Sequence, residues 1–328
     1  MIGHEQLKAL ASSVFPNVCE VRRHMHKHPE LSFKEHETQA FLRSRLQALG
    51  VEPITIGTTG LYVDLKGNGP GDRVIALRAD IDALPILEAN NTEYTSTNEG
   101  VMHACGHDAH SACLMGAIEI LLQTNNEWGG TVRCIFQPGE EKLPGGASML
   151  IQEGVLENPK PELIIGQHVY PDLPAGKVGF RPGKYMASAD EVYITVHGKG
   201  GHAALPHKLN DPVLAAAHII TGLQQVVSRN ATPNIPAVLS IGSVHANGAT
   251  NVIPDKVELQ GTFRTFDETM RFALHRKIQR VAEHTAQAHG CSAPVDIHVG
   301  YPYLENDPDA TANSIDFATQ LLGAENVI

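Results

Sequence analysis

Three short strand-like segments, mostly apolar, constrain this chain of 328 residues more than any other feature. They lie at 74–77, 132–136 and 163–166, and the first is the plainest, reading Val74, Ile75, Ala76, Leu77. Each is long enough for a strand and too short for a helix. Segments of helical length stand before and between them. Residues 5–25 space Leu7, Leu10, Val14 and Val18 as one face of a helix, which Pro16 is expected to kink or divide. Residues 35–49 place Phe41, Leu42, Leu46 and Leu49 together, with Gly50 as a C-terminal cap. Residues 110–122 are small and apolar, as in a buried helix. Strand and helix alternating at this spacing predict the α/β class with a mostly parallel sheet.

From about Ser188 the pattern changes. Val192, Ile194 and Val196 alternate with polar residues, as in a strand with one wet face. A helix is expected over 212–227 behind an Asp211 N-cap, then strands over 237–244 and 256–262. A long helix over 267–289 ends at Gly290, and a last strand covers 295–299. The order β-α-β-β-α-β is the split βαβ arrangement of a ferredoxin-like α+β domain. Helix-like sequence resumes over 306–322, so this block is expected to be inserted. The expected organisation is a first part of the larger domain at residues 1–187, an inserted domain at 188–300, and a return to the larger domain at 301–328.

Composition narrows the functions. Hydrophobic residues are 42% and charged residues 19%, ordinary for a globular chain with a substantial core. The 25 basic and 36 acidic residues leave a net charge of -11, which repels phosphate backbones, so nucleic acid is not an expected partner. The N-terminal ten residues lack a basic patch followed by an apolar run, and no stretch reaches the roughly 18 apolar residues of a membrane span. Neither a signal peptide nor a membrane is expected. The five cysteines, Cys19, Cys105, Cys113, Cys134 and Cys291, are odd in number and irregular in spacing, which argues for the reducing cytoplasm.

In open parallel sheets, ligands bind beyond the carboxyl ends of the strands. After the first run comes Arg78-Ala79-Asp80-Ile81-Asp82-Ala83-Leu84-Pro85; after the second, Gln137-Pro138-Gly139-Glu140-Glu141; after the third, Gln167-His168. Before the buried helix stands His103-Ala104-Cys105-Gly106-His107-Asp108-Ala109-His110. Singly, each has a plain structural reading: a hydrogen-bonded His, a solvated acidic turn, a small buried Cys. Together, thiol, imidazole and carboxylate converging on one crevice suit zinc, manganese or cobalt. The Glu140–Glu141 pair has a further use. Adjacent side chains point in different directions, so one carboxylate can bind metal while the other takes a proton from water.

These residues resemble the M20 metallopeptidase family, closest to its amidohydrolase branch of hippurate hydrolases, N-acyl-amino-acid amidohydrolases and auxin-conjugate hydrolases. The resemblance runs from about Arg22 to Asn306. It also rests on His26-Lys27-His28-Pro29-Glu30, Gly166-Gln167-His168, Gly198-Lys199-Gly200-Gly201-His202-Ala203-Ala204, Asn251-Val252-Ile253-Pro254 and Gly261-Thr262-Phe263-Arg264. It implies metal-dependent hydrolysis of the amide bond of N-acyl amino acids or similar small amides. The cofactor implied is two divalent metal ions (Zn, Mn, Co or Ni). Cys105, His107, Glu141 and His168 correspond to ligands, with Cys105 bridging; Glu140 corresponds to the general base, and Asp82 to a carboxylate that orients a ligand. Asp80 stands where other branches place a metal-binding His. The inserted domain corresponds to a lid through which two copies pair as a homodimer. There His202 corresponds to the residue that polarises the scissile carbonyl, and Asn251 and Arg264 to substrate anchors.

The family pattern also includes a His ligand near its C-terminus, and residues 306–328 hold no His. The expectation is a truncated catalytic domain, or one that has lost this ligand. Two other readings follow. One is an inactive or partly metallated remnant. The other is a hydrolase with Cys105 as nucleophile and His107 or His110 as base.

Overall fold

The computed structural model describes residues 2–328. Chain contacts divide it into two units, Met1–Phe180 with Asn313–Ile328, and Arg181–Ala312.

The first unit opens with helix α1 (His4–Lys27), which buries Val14, Val21 and Met25. Pro16 lies inside α1 without ending it. Proline removes a single backbone donor there, and the apolar face on either side continues to pack. Helix α2 (His36–Ala48) stops where Gly50 takes φ +81°. The Gly50 N–H then bonds Gln47 O at 2.9 Å and the Val51 N–H bonds Leu46 O at 3.2 Å, closing the last turn. Strands β1 (Ile54–Ile56), β2 (Gly60–Lys66) and β3 (Gly69–Asp80) follow, then helix α3 (His107–Gln123), strand β4 (Gly129–Gln137), helix α4 (Gly146–Gln152) and strand β5 (Leu163–Gly166).

The strands form one five-stranded sheet in the order β1-β2-β4-β3-β5. The α/β class holds, but the sheet is mixed: β3 pairs in parallel with β4 and β5, while β2 pairs antiparallel with β1 and β4. The parallel part is the part the three apolar runs foretold. The β1–β2 hairpin adds an antiparallel edge that such runs do not announce.

Alternation along the strands builds a core on each face. Cys134 and Phe136 join Leu61, Leu65, Ala79 and the buried residues of α1, α2 and α3. Ile135, between them, packs with Ile56, Ala76, Leu150 and Val155 on the other face. Arg133 is also buried, and its guanidinium forks onto Asp64 through two 2.7 Å bonds while donating to the carbonyls of Val155 and Glu157. A buried charge held this way is paired and saturated. The arrangement matters for function because β3, β4 and β5 run parallel. Their carboxyl ends, Asp80, Gln137 and Gly166, therefore open onto one edge of the sheet.

The second unit contains strands β6 (Gly183–Met186), β7 (Asp190–His197) and β8 (Gly201–His202), helix α5 (Pro212–Asn230), strands β9 (Ala237–His245), β10 (Val252–Ile253) and β11 (Lys256–Thr265), helix α6 (Glu268–Ala288), and strands β12 (Val295–Val299) and β13 (Leu304–Asn306). Helix α7 (Pro308–Leu322) leads back to the first unit. Strands β7, β9, β11 and β12 form an antiparallel sheet in the order β12-β7-β11-β9. Numbered within the block, that is fourth, first, third, second. It is the interleaving expected of a split βαβ domain. Asp211 caps α5 by accepting from Val213 N and Leu214 N, and Asp267 caps α6 by accepting from Met270 N. Val192, Ile194 and Val196 of β7 meet Ala215, Ile219 and Leu223 of α5 and Leu274 and Ile278 of α6 in one cluster.

Candidate metal centre

The site grows from the loop after β3. Asp82 is buried, and its carboxylate gathers three groups from distant parts of the chain. Oδ2 accepts from Ser32 Oγ at 2.7 Å and from the Glu141 N–H at 2.9 Å. Oδ1 lies 3.1 Å from His107 Nδ1, and the Asp82 carbonyl oxygen lies 2.9 Å from the same nitrogen. With two oxygens facing it, Nδ1 keeps its proton, so Nε2 is the nitrogen that can exchange a proton for a cation. His107 Nε2 is buried and has no hydrogen-bond partner among the described residues. It stands 3.9 Å from both Glu140 Oε2 and Glu141 Oε1.

Charge coupling is strong here. Burial works to lower the His107 pKa, yet Asp82 and Cys105 outweigh it and push the imidazole up to about 11. Burial likewise raises Asp82, but His107, the Glu141 N–H and Ser32 bring it below the usual carboxylate range. Cys105 is lowered, first by the His107 imidazole beside it and then by His168. Glu140 is raised, chiefly by burial and then by the carboxylates of Asp80 and Glu141.

Two turns present these donors. Gly106 sits between Cys105 and His107 at φ +88°, and a Cβ there would lie 2.3 Å from Val169 Cγ2. Only glycine gives both the left-handed backbone and the close approach. This lets one turn aim a thiol and an imidazole at the same place. Beyond β4, Gly139 takes φ +56° and its N–H donates to Glu35 Oε1 at 2.8 Å. Glu35 is buried and also accepts from Thr59 Oγ1 at 2.6 Å. The next two residues are Glu140 and Glu141.

His168 follows β5. Its Nδ1–H donates to Val169 O at 2.7 Å, and its Nε2 lies 3.3 Å from Cys105 Sγ. Donor atoms of Cys105, His107 and His168 all lie within 4.8 Å of one another, and so do those of His107, Glu140 and Glu141. All five residues therefore meet around His107. The bare, buried Nε2 and the mixture of thiol, imidazole and carboxylate fit a borderline divalent cation. The imidazole within hydrogen-bond reach of Cys105 on the far side is His168; His110 instead accepts from the Val169 N–H.

His202, Asn251 and Arg264 lie in the second unit and are exposed. Strands β8 and β10 set His202 opposite Val252, and the Ala203 N–H donates to Asn251 O at 3.0 Å, so these two are neighbours. The Ala204 N–H donates to His202 Nδ1 at 3.2 Å, which leaves the proton on Nε2. Arg264 lies on β11 opposite Val238 of β9. Ser32 and Glu35, which support the candidate site through Asp82 and Gly139, were not foreseen. Their one signal is a place just beyond the His26–Glu30 motif, within five residues of it.

Comparison with known proteins defines the class. Residues 76–328 match the model of peptidase family M20/M25/M40. The chain is 42% identical over 316 residues to an N-acyl-L-amino acid amidohydrolase of Geobacillus stearothermophilus, covering 95% of this chain and 85% of that protein. It is 43% identical over 309 residues to an N-acetylcysteine deacetylase of Bacillus subtilis, covering 94% and 80%. Its fold matches the crystal structure of the YXEP protein of Bacillus subtilis, described as a dinuclear metal binding peptidase from the M20 family. That match has a TM-score of 0.79 and 39% identity, over 98% of this chain and 82% of that one. The chain belongs to peptidase family M20/M25/M40 and is a hydrolase of its amidohydrolase branch.

Proposed function

We propose that this protein hydrolyses the amide bond of N-acyl amino acids, with two divalent cations held by Cys105, His107, Glu141 and His168 and with Glu140 as general base. One observation carries the reading: His107 Nε2 is buried without a partner, and two carboxylates approach it equally, at 3.9 Å. One carboxylate is enough to complete a ligand set, which leaves the other for proton transfer. When bound, the cations supply Lewis acidity, lowering the pKa of water and polarising a carbonyl.

The chain's own residues do the rest. Asp82 fixes the His107 tautomer and, through the Glu141 N–H, the orientation of Glu141. Glu35 and Gly139 set the turn that presents Glu140. The raised pKa of Glu140 suits a base that takes a proton from water and hands it to the departing amine nitrogen. The Nε2–H of His202 would donate to the carbonyl oxygen as negative charge develops on it. Arg264 has no ion-pair partner among the described residues, and its planar fork suits a substrate carboxylate; Asn251 would hold a carbonyl. Pairing of two copies through the second unit is supported by β9, an edge strand with Val238 and Val244 exposed.

The relatives' names support acyl groups on amino acids as substrates. The test is Glu140→Gln, assayed on a panel of N-acetyl and N-benzoyl amino acids. Turnover should fall by about 10²–10⁴-fold with metal content unchanged. Near-normal turnover would remove Glu140 from the reaction.

A further inference from the structure

His110 stands one turn beyond His107 on α3, is buried, and has no part in the chemistry proposed above. With Asp80 and His107 it forms another buried trio whose donor atoms lie within 4.8 Å of one another. Distance alone would make that trio one more cation site. The hydrogen bonds exclude it. The Val169 N–H donates to His110 Nε2 at 3.0 Å. A backbone amide can only donate, so Nε2 supplies the lone pair, and the proton of the neutral ring sits on Nδ1. That nitrogen faces Asp80 Oδ2 at 3.7 Å, where the carboxylate favours an N–H. A protonated nitrogen has no lone pair to give a cation.

We propose that His110 is the positioning residue for His168. This inference rests on the metal reading, because its effect is felt through a metal ligand. Val169 is the link. Its N–H is held by His110, and its carbonyl accepts from His168 Nδ1 at 2.7 Å. Both polar groups of Val169 are thereby engaged, and His168 turns Nε2 towards Cys105 Sγ at 3.3 Å. Val169 also packs against Gly106, where an added Cβ would meet its Cγ2 at 2.3 Å. The loop carrying His168 and the turn carrying Cys105 and His107 are thus seated against each other. His110 is itself anchored on α3, where the neighbouring Ser111 Oγ donates to Asp80 O at 2.7 Å.

The test uses the full chain and Co²⁺ as the probe. Metal-free wild type, His110→Phe and His110→Gln are titrated with Co²⁺. The thiolate-to-cobalt absorption band of Cys105 and the dissociation constant are read together, with circular dichroism as the check on folding. Phenylalanine keeps the ring and removes the acceptor; the glutamine carboxamide oxygen reaches as far as Nε2 and restores it. Affinity should fall by about 10–100-fold in His110→Phe, with a shifted band, and stay within about threefold of wild type in His110→Gln. Wild-type affinity and band in His110→Phe would overturn the proposal. So would a His110→Gln as weak as the Phe variant, since that is the mark of a direct ligand. If His110→Phe does not fold, the Gln variant decides alone, on the same threshold. A wild type that binds Co²⁺ with no thiolate band would instead overturn the metal reading itself.

Discussion

The Asp82 carboxylate reaches His107, the Glu141 backbone and Ser32 at once, so its removal disturbs two proposed ligands by different routes. In Asp82→Ala, His107 loses one of the two oxygens that hold its tautomer, and the Glu141 N–H loses its acceptor. Metal affinity measured by calorimetry should drop about 10–100-fold. An unchanged affinity would mean that the Asp82 carbonyl alone fixes the ring. At Gly106 the constraint is on backbone and space. Gly106→Ala forces a left-handed φ on an L-residue and pushes a methyl into Val169. Denaturant unfolding should show a loss of about 1–3 kcal/mol, with weakened metal binding. Full stability and full binding in that variant would contradict the close seating of the two loops.

At the scale of elements, the second unit has its own anchor. Asp190 at the start of β7 accepts from Arg271 Nε at 2.9 Å, and also pairs with Arg271 through a second, shorter contact. It further accepts from the Gly300 N–H at 3.0 Å and lies 2.8 Å from His275 Nε2. These tie β7, α6 and the end of β12 together. Burial works to raise Asp190, but Arg271, His275 and the Gly300 N–H hold it far below the usual carboxylate range. Removing it takes away the buried partner of the Arg271 guanidinium and leaves only the part-exposed Glu268, so Asp190→Ala should cost about 3 kcal/mol in urea unfolding. The pH dependence has a definite sign. A depressed folded pKa stabilises above the unfolded value of about 3.9 and loses that contribution as pH falls towards the folded value. The stability gap between wild type and Asp190→Asn should therefore narrow below about pH 4. A gap that widens on acidification would contradict the assignment.

Several elements were legible in the sequence: β5 and β12 fall at the expected bounds, α5 starts at its expected Asp211 cap, and α6 starts one residue after the expected Asp267, which caps it instead. Strand β3 begins at Gly69, earlier than its apolar run, because Gly69, Pro70, Gly71 and Asp72 carry no strand signal; there Gly69 pairs with Gly129 and the register shifts before Val74. The hairpin of β1 and β2 went unread because β1 has three residues and Gly57 and Gly60 frame the turn. Helix α4, with seven residues, is too short to show a helical period. The convergence of the candidate donors was legible because parallel strands deliver their carboxyl ends to one edge. Their supports were not. Glu35 lies 104 residues from the Gly139 it holds, and Ser32 lies 50 from Asp82. The role of His110 depends on which ring nitrogen accepts, which only coordinates disclose.

At the scale of the whole molecule, no helix among the described residues is long and apolar enough to cross a membrane. The open β9 edge carries the prediction for assembly: light scattering should give twice the chain mass, and a single chain mass at micromolar concentration would contradict pairing through the second unit. The central claim, that Cys105, His107, Glu141 and His168 act through divalent cations, meets its most direct test in chelation. Purified protein is assayed on N-benzoylglycine and N-acetyl amino acids before EDTA treatment, after it, and after return of Mn²⁺ or Zn²⁺, with bound metal counted at each stage. Hydrolysis should vanish with the metal and return with it. Hydrolysis that persists in the metal-free protein would contradict the account and pass the chemistry to the Cys105 thiol.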